Sequence, residues 1–257
     1  MQICVIIPTY NEKENIGKFI EKTFYAVKGK VDNYQILVVD DNSPDQTGKI
    51  VRGLALSNKK LHLLSGDKKG VGKAMIRGYK YALKKLKPDI IVSTEADFAY
   101  DPEYIPHAVD KIKGGYDVVV GSRHVGIGKT EGWTLERKLN HWVANKFFAS
   151  WVAGVTEIYD HNGAFRAIRV KGVLDKINFN NIKIAGFGFF SYFLFKLTQI
   201  TNRFYEMPII YRFRTKGESK ISFNPKYLGT YLHDVFEYIV LSFKIRLEKV
   251  LEKINIK

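Results

Sequence analysis

The run Ile90-Ile91-Val92-Ser93 gives way to Thr94-Glu95-Ala96-Asp97, where two carboxylates are separated by one residue. A β-branched apolar run reads as a buried strand, and parallel strands present functional groups at their carboxyl ends. Residues i and i+2 of an extended segment point to one side, so Glu95 and Asp97 converge if strand geometry persists that far. Two hard oxygen ligands with open positions left over suit a divalent cation that also holds phosphate oxygens. A second run, Ile36 to Val39, ends in Asp40 and Asp41, and a third, Val118 to Val120, leads into Gly121-Ser122-Arg123. A lone acidic triplet would read as a solvated turn. Several charged termini along one sheet edge describe a crevice for a metal-bound, phosphate-bearing ligand.

The elements that must position these groups alternate between strand and helix. Strands are expected at Ile3 to Ile7, Ile36 to Val39, Leu61 to Leu64, Ile90 to Ser93 and Val118 to Val120. Helices are expected after Glu12, from Ser43-Pro44-Asp45-Gln46 onward, over Gly70 to Leu86 and over Pro102 to Ile112. That alternation implies a mostly parallel α/β sheet covered on both faces. Beyond Arg123 the pattern changes. Leu135 to Val152 reads as a helix that is apolar around most of its circumference, with Trp142, Phe147, Phe148 and Trp151. A glycine-bounded segment, Asn162 to Ile168, precedes an aromatic helix near Phe187 to Thr198, a strand from Met207 to Phe213 and a final helix from Pro225. Leu228, Leu232, Val235, Ile239, Phe243, Leu247, Val250 and Ile254 make one stripe on that last helix.

A chain of 257 residues with 46% hydrophobic residues can bury a substantial core. The net charge of +15 and pI near 9.6 point to polyanionic partners: nucleic acid, phosphorylated substrates or an anionic membrane surface. Nucleic acid is disfavoured because the lysines spread over many segments rather than forming one stripe. The single cysteine, Cys4, excludes an internal disulfide. No signal peptide is expected, and the late apolar stretches Phe187 to Leu197 and Val235 to Phe243 are interrupted by Lys196 or Glu237 and too short to span a bilayer.

Common nucleotide motifs fail. Gly70-Val71-Gly72 is followed by Met75 where a dinucleotide fingerprint needs glycine or alanine, and Gly72-Lys73-Ala74 lacks the hydroxyl of a P-loop. These glycines are expected to shape a tight helix entry. His107, His124, His141, His161 and His233 are scattered without metal-ligand spacing and read as structural or solvated.

Pro8-Thr9-Tyr10-Asn11-Glu12, Val39-Asp40-Asp41-Asn42-Ser43-Pro44-Asp45, Glu95-Ala96-Asp97, Gly121-Ser122-Arg123 and Gly217-Glu218-Ser219-Lys220 follow one another in that order. Together they resemble the inverting GT-A glycosyltransferases of the family-2 type. The Trp133 to Arg137 spacing and the Arg214…Lys220 segment narrow the resemblance to the polyprenyl (dolichyl) phosphate mannosyltransferases, the dolichol-phosphate mannose synthase group. The resemblance covers residues 2 to 223.

It implies a GT-A, Rossmann-like catalytic domain over 1–223, with a nucleotide-binding half at 1–123 and an acceptor half at 124–223, followed by an amphipathic helix at 224–257. By resemblance, Pro8, Tyr10, Glu12, Asp40 and Ala96 bind the nucleotide. Glu95 and Asp97 hold Mg²⁺ or Mn²⁺, with Asp97 also catalytic. Arg123, Arg214 and Lys220 are the catalytic cations, and Arg123, Arg137 and Lys220 meet the acceptor phosphate. Three positions depart from the family pattern: Glu95 stands for aspartate, Ala99 for a glutamine after the triplet, and Asn162-Gly163 for Ser-Gly.

The activity implied is inverting, metal-dependent transfer of mannose from GDP-mannose to dolichyl or polyprenyl phosphate, giving a lipid-linked sugar donor for glycosylation. The alternatives are UDP-glucose as donor to the same acceptor, or a catalytically weak, membrane-associated nucleotide-sugar-binding protein. A general base is not needed, because a phosphate monoester is largely dianionic at neutral pH and already nucleophilic. The location implied is peripheral, on the cytoplasmic face of a membrane. Leu135 to Val152 and the last helix would lie in the interface, attached directly, through a partner or through self-association of the last helix.

Overall fold

The structure, a computed structural model, describes residues 1–212 and 225–255. Arg214, Lys220, Phe213 and the Gly217-Glu218-Ser219-Lys220 segment lie outside the described residues.

The first half alternates as expected: β1 (Gln2–Thr9), α1 (Ile16–Val27), β2 (Asn33–Asp40), α2 (Thr47–Ser57), β3 (Leu61–Ser65), α3 (Val71–Tyr81), β4 (Ile90–Ser93), α4 (Tyr104–Lys113) and β5 (Val118–Ser122). A wider π turn, Ala82–Leu86, extends α3 up to Pro88. Ile3 to Ile7 of β1 are fully buried, as a strand covered on both faces requires. The late half supplies β6 (Lys129–Glu131), α5 (Leu135–Trp142) with a π-helical continuation at Val143–Val152, β7 (Arg166–Arg169), α6 (Gly188–Thr198), β8 (Phe204–Pro208), β9 (Ile210–Arg212) and α7 (Pro225–Asn255).

The main sheet has seven strands in the order β3-β2-β1-β4-β7-β5-β8. All neighbours are parallel except β7, which runs antiparallel to both β4 and β5. The sheet is mostly parallel, as expected, with β7 as its one antiparallel strand among the described residues. β6 and β9 form a separate parallel pair.

Several local expectations shift. α2 begins at Thr47, not at Ser43, and Gln46 before it has φ +73°. The cap-like residues do other work. Ser43 Oγ accepts the Asn11 N–H at 3.0 Å, and Asp45 accepts the Lys13 N–H at 2.9 Å, tying the β2–α2 loop to the β1–α1 loop. The segment Asn162 to Ile168 conceals strand β7. Its arginines hid it, because Arg166 is fully buried and donates to the Phe190 and His161 carbonyls at 2.7 and 2.8 Å. The late strand is two short ones, β8 and β9, broken at Ile209.

Gly70 and Gly72 shape the entry to α3 as expected. The Gly72 N–H donates to the Ala185 carbonyl at 2.8 Å, and a Cβ at Gly72 would sit 2.6 Å from the Ile184 carbonyl oxygen. The aromatic helix α6 is core: Phe189, Phe190, Phe193 and Phe195 are all buried. α7 meets α6 through Leu241 and Ile245, both buried, and through Lys196 Nζ on Glu248 at 2.6 Å. The expected stripe on α7 faces outward: Leu232, Phe243, Leu247 and Ile254 are exposed. No helix among the described residues is long and apolar enough to cross a membrane.

Candidate active site

The carboxyl ends of β1, β2, β4 and β5 define one edge of the sheet, and Tyr10, Asp40, Glu95, Asp97 and Arg123 lie at or just after those ends. The loops after β1 and β2 are stitched together. Beyond the two contacts above, the Glu12 N–H donates to Thr47 Oγ1 at 2.9 Å, while the Glu12 side chain accepts from Asn15 Nδ2. Asp40 is buried and serves this loop with both oxygens, accepting from the Ser43 hydroxyl at 2.6 Å, the Thr9 hydroxyl at 3.2 Å and the Ser43 N–H at 3.1 Å. Burial pushes the Asp45 carboxyl up, but hydrogen bonds from Thr47 and the Lys13 N–H hold it below the usual carboxylate range. Tyr10 presents its ring to Lys68, whose Nζ lies 4.0 Å from the centroid. Pro8 sits in β1 opposite Val39. Asp41 is buried and accepts from Arg77 at 2.7 Å.

β4 ends at Ser93, so the strand does not persist through the acidic triplet. The chain instead turns, with Phe98 at φ +61°, a conformation unfavourable for an aromatic residue. Its ring packs edge-on against Phe19 at 5.1 Å, and Asp97 Oδ1 accepts the Ala99 N–H at 3.0 Å. Ala96 is buried, Asp97 is 4% exposed and Glu95 lines the adjoining cavity. Both carboxylates act on Tyr211, whose hydroxyl is driven far above its usual range by burial and then by the charges of Glu95 and Asp97. Two hard oxygen donors facing one region fit Mg²⁺ or Mn²⁺.

Arg123, at the end of β5, is 8% exposed. Its Nε and one terminal nitrogen donate to Asp160 at 2.7 and 2.6 Å, and its backbone N–H donates to Asp160 at 2.9 Å. Burial opposes both charges, yet each holds the other ionised: the Arg123 guanidinium is shifted up and the Asp160 carboxyl far down. Asp160 was not singled out in the sequence, and no spacing could have found it, because it lies in irregular chain before β7. Arg123 also faces Trp133 and Tyr211, with ring centroids at 5.5 and 5.3 Å, while Arg137 covers Trp133 at 4.8 Å. Thr134 caps α5 by accepting the Arg137 N–H, which fixes the start of the helix that carries Arg137 and His141.

These groups line a cavity of about 280 Å³. Glu95, Arg123, Arg137 and His141 supply its charged and polar wall, and Trp133, Phe148, Phe187, Phe190, Val235 and Ile239 its apolar wall. Tyr238 of α7 closes one side, with its hydroxyl 3.0 Å from both Asn162 Oδ1 and Ser191 Oγ. The histidines read as scattered are not all so: His124 and His141 bring their Nε2 atoms to 3.0 Å. Burial, then the Arg123 charge, pushes His141 down to about 3, so it is neutral near pH 7.

The glycosyl transferase family 2 model matches residues 4–176. A dolichol-phosphate mannosyltransferase of Pyrococcus furiosus is 34% identical over 92% of this chain, which spans 63% of that protein's length. An undecaprenyl-phosphate mannosyltransferase of Micrococcus luteus is 33% identical over 86% of this chain and 88% of its own. A polyprenol monophosphomannose synthase of Mycolicibacterium smegmatis is 32% identical over 85% of this chain and 80% of its own. In fold, the chain is similar to glucosyl-3-phosphoglycerate synthase of Mycobacterium tuberculosis, crystallised with Mn²⁺, UDP and its product, at a TM-score of 0.65 and 17% identity over 95% of this chain and 80% of that one. The fold is the expected GT-A type, and with the family match over most of its length this chain belongs to glycosyl transferase family 2 and is a glycosyltransferase.

Proposed function

We propose that the protein transfers mannose from GDP-mannose, with inversion, to the phosphate of a dolichyl or polyprenyl phosphate. The carrying observation is the cavity itself: its lining combines Glu95, Arg123 and Arg137 with an apolar set that reaches α7. A phosphate head and a hydrocarbon tail need that pairing of surfaces. The names of the curated relatives support the same acceptor class and sugar.

In this reading the loops carrying Pro8, Tyr10, Glu12 and Asp40, with Ala96, hold the nucleoside diphosphate. Glu95 and Asp97 hold Mg²⁺ or Mn²⁺, which when bound offsets the diphosphate charge and stabilises the leaving group. Arg123, kept rigid by Asp160, and Arg137 draw the acceptor phosphate in, with Arg214 and Lys220 supplying further positive charge. An acceptor phosphate oxygen forms the new bond to the anomeric carbon. The bond from that carbon to the diphosphate breaks, and its electron pair leaves with the nucleotide. Dianionic phosphate needs no proton removed.

The proposed location is a membrane surface on its cytoplasmic face. Trp142, Phe147 and Trp151 on the α5 segment, together with Phe236, Phe243 and Leu247 on α7, are exposed on the two helical segments that border the cavity. Lys138, Lys146 and Lys244 are exposed among them. Apolar faces with tryptophan and lysine at their margins suit the boundary of an anionic bilayer.

Transfer of radiolabelled sugar to polyprenyl phosphate tests the reading, run with GDP-mannose and with UDP-glucose, each with and without Mn²⁺. Labelled lipid from GDP-mannose is expected. Label only from UDP-glucose would replace the donor, and nucleotide binding with no transfer from either would overturn the enzyme assignment.

A further inference from the structure

The His124–His141 contact is not explained by sugar transfer. The two Nε2 atoms lie 3.0 Å apart, the ring planes differ by 5°, and the centroids are 5.1 Å apart, so the rings meet nitrogen to nitrogen. Asp160 completes a group whose potential ligand atoms all lie within 4.8 Å of one another. Two ligands on one tetrahedral Zn²⁺, at about 2.0–2.1 Å each, stand roughly 3.3 Å apart, close to the separation of these imidazoles. Bringing the exposed His124 and half-buried His141 to the carboxylate requires a movement of at most about 1.5 Å.

The geometry points to a transition-metal site formed by His124, His141 and Asp160, separate from the Glu95/Asp97 pair. The donor sets differ in kind. Imidazole selects Zn²⁺, Co²⁺ or Ni²⁺, whereas carboxylates alone suit Mg²⁺ and Mn²⁺. Arg123 does not close the site. A carboxylate offers about four lone-pair positions, and Arg123 uses three of those on Asp160: two on Oδ2 and one on Oδ1. The amide of Asn145 packs over the His141 ring, with Nδ2 3.0 Å from Nδ1 and 3.3 Å from Nε2, and its Oδ1 accepts the His161 N–H at 2.9 Å.

His141 and Arg123 both line the cavity, so a remaining coordination position on the ion would face it. If the proposed acceptor is correct, a phosphate oxygen can fill that position; this clause alone rests on the functional reading. The metal site itself does not.

Titration calorimetry of the full chain with Zn²⁺ alone, in excess Mg²⁺, tests it. One equivalent of Zn²⁺ is expected to bind, and His124→Ala or His141→Ala should each weaken it by about 10- to 100-fold or more. Asp97→Ala should leave that binding unchanged. A second readout on the unmutated chain is Co²⁺ absorption, expected to show the intense visible bands of a nitrogen-containing, low-coordinate site. No Zn²⁺ binding, binding removed by Asp97→Ala, or binding indifferent to both histidine changes would overturn the site. The 3.0 Å contact would then be an N–H···N hydrogen bond between neutral rings.

Discussion

The Arg123 guanidinium and the Asp160 carboxylate meet in a two-point hydrogen-bonded pair, at 2.7 and 2.6 Å, with Asp160 fully buried. Removing one member of such a pair leaves an uncompensated buried charge. Asp160→Ala is therefore expected to destabilise the protein by about 3–5 kcal/mol, read as a lower denaturation midpoint. Transfer should fall as well, since Arg123 loses the partner that aims it. A midpoint unchanged from the parent would mean that Arg123 finds another anion or water.

Asp97 and Glu95 are expected to respond differently. Asp97→Ala should abolish transfer, because Asp97 is the more enclosed of the two and is locked by the Ala99 N–H. Glu95→Asp should retain or raise activity by restoring the shorter family carboxylate. Radiolabelled transfer across a Mn²⁺ series measures both. Full activity in Asp97→Ala would remove the metal assignment.

The outward apolar faces are expected to matter for lipid and not for folding. Trp151, 77% exposed, and Phe243, 60% exposed, can be changed to glutamate with little loss of stability. Flotation with vesicles containing anionic lipid should nevertheless fall sharply in the double variant. Phe193→Ala should do the reverse. It empties a fully buried site packed against Tyr79 and Phe189 and should cost about 3–5 kcal/mol.

Cys4 offers a convenient check on all these variants. It is fully buried in β1, and burial pushes its thiol up to about 12. The folded protein should resist alkylation at pH 8, since the thiolate is the reactive form. Labelling should appear only with global unfolding, so rapid labelling of a variant would report a broken fold and not a lost contact.

Much of the first half was legible because its signals are local. Ile3 to Ile7, Ile36 to Val39 and Val118 to Val120 are uninterrupted apolar runs, and the structure makes each a strand. The acidic triplet and Arg123 could be placed at one sheet edge for the same reason. What could not be read depends on contacts distant in sequence. β7 carries Arg166, whose charge is tolerated only because carbonyls from residues 161 and 190 receive it. Ser43 and Asp45 carry helix-cap chemistry but spend it on the neighbouring loop.

β7 has a further consequence for how the chain becomes a protein. It comes from the late part of the sequence yet lies between β4 and β5, pairing with both. Synthesis must therefore run past Arg169 before the sheet can close, and a fragment ending near Arg123 would expose two apolar strand edges with nothing between them. The segments before and after Arg123 are not separable modules. Expressed as two pieces, they should regain a common sheet only by complementation, with the second piece threading its strand into the gap left by the first.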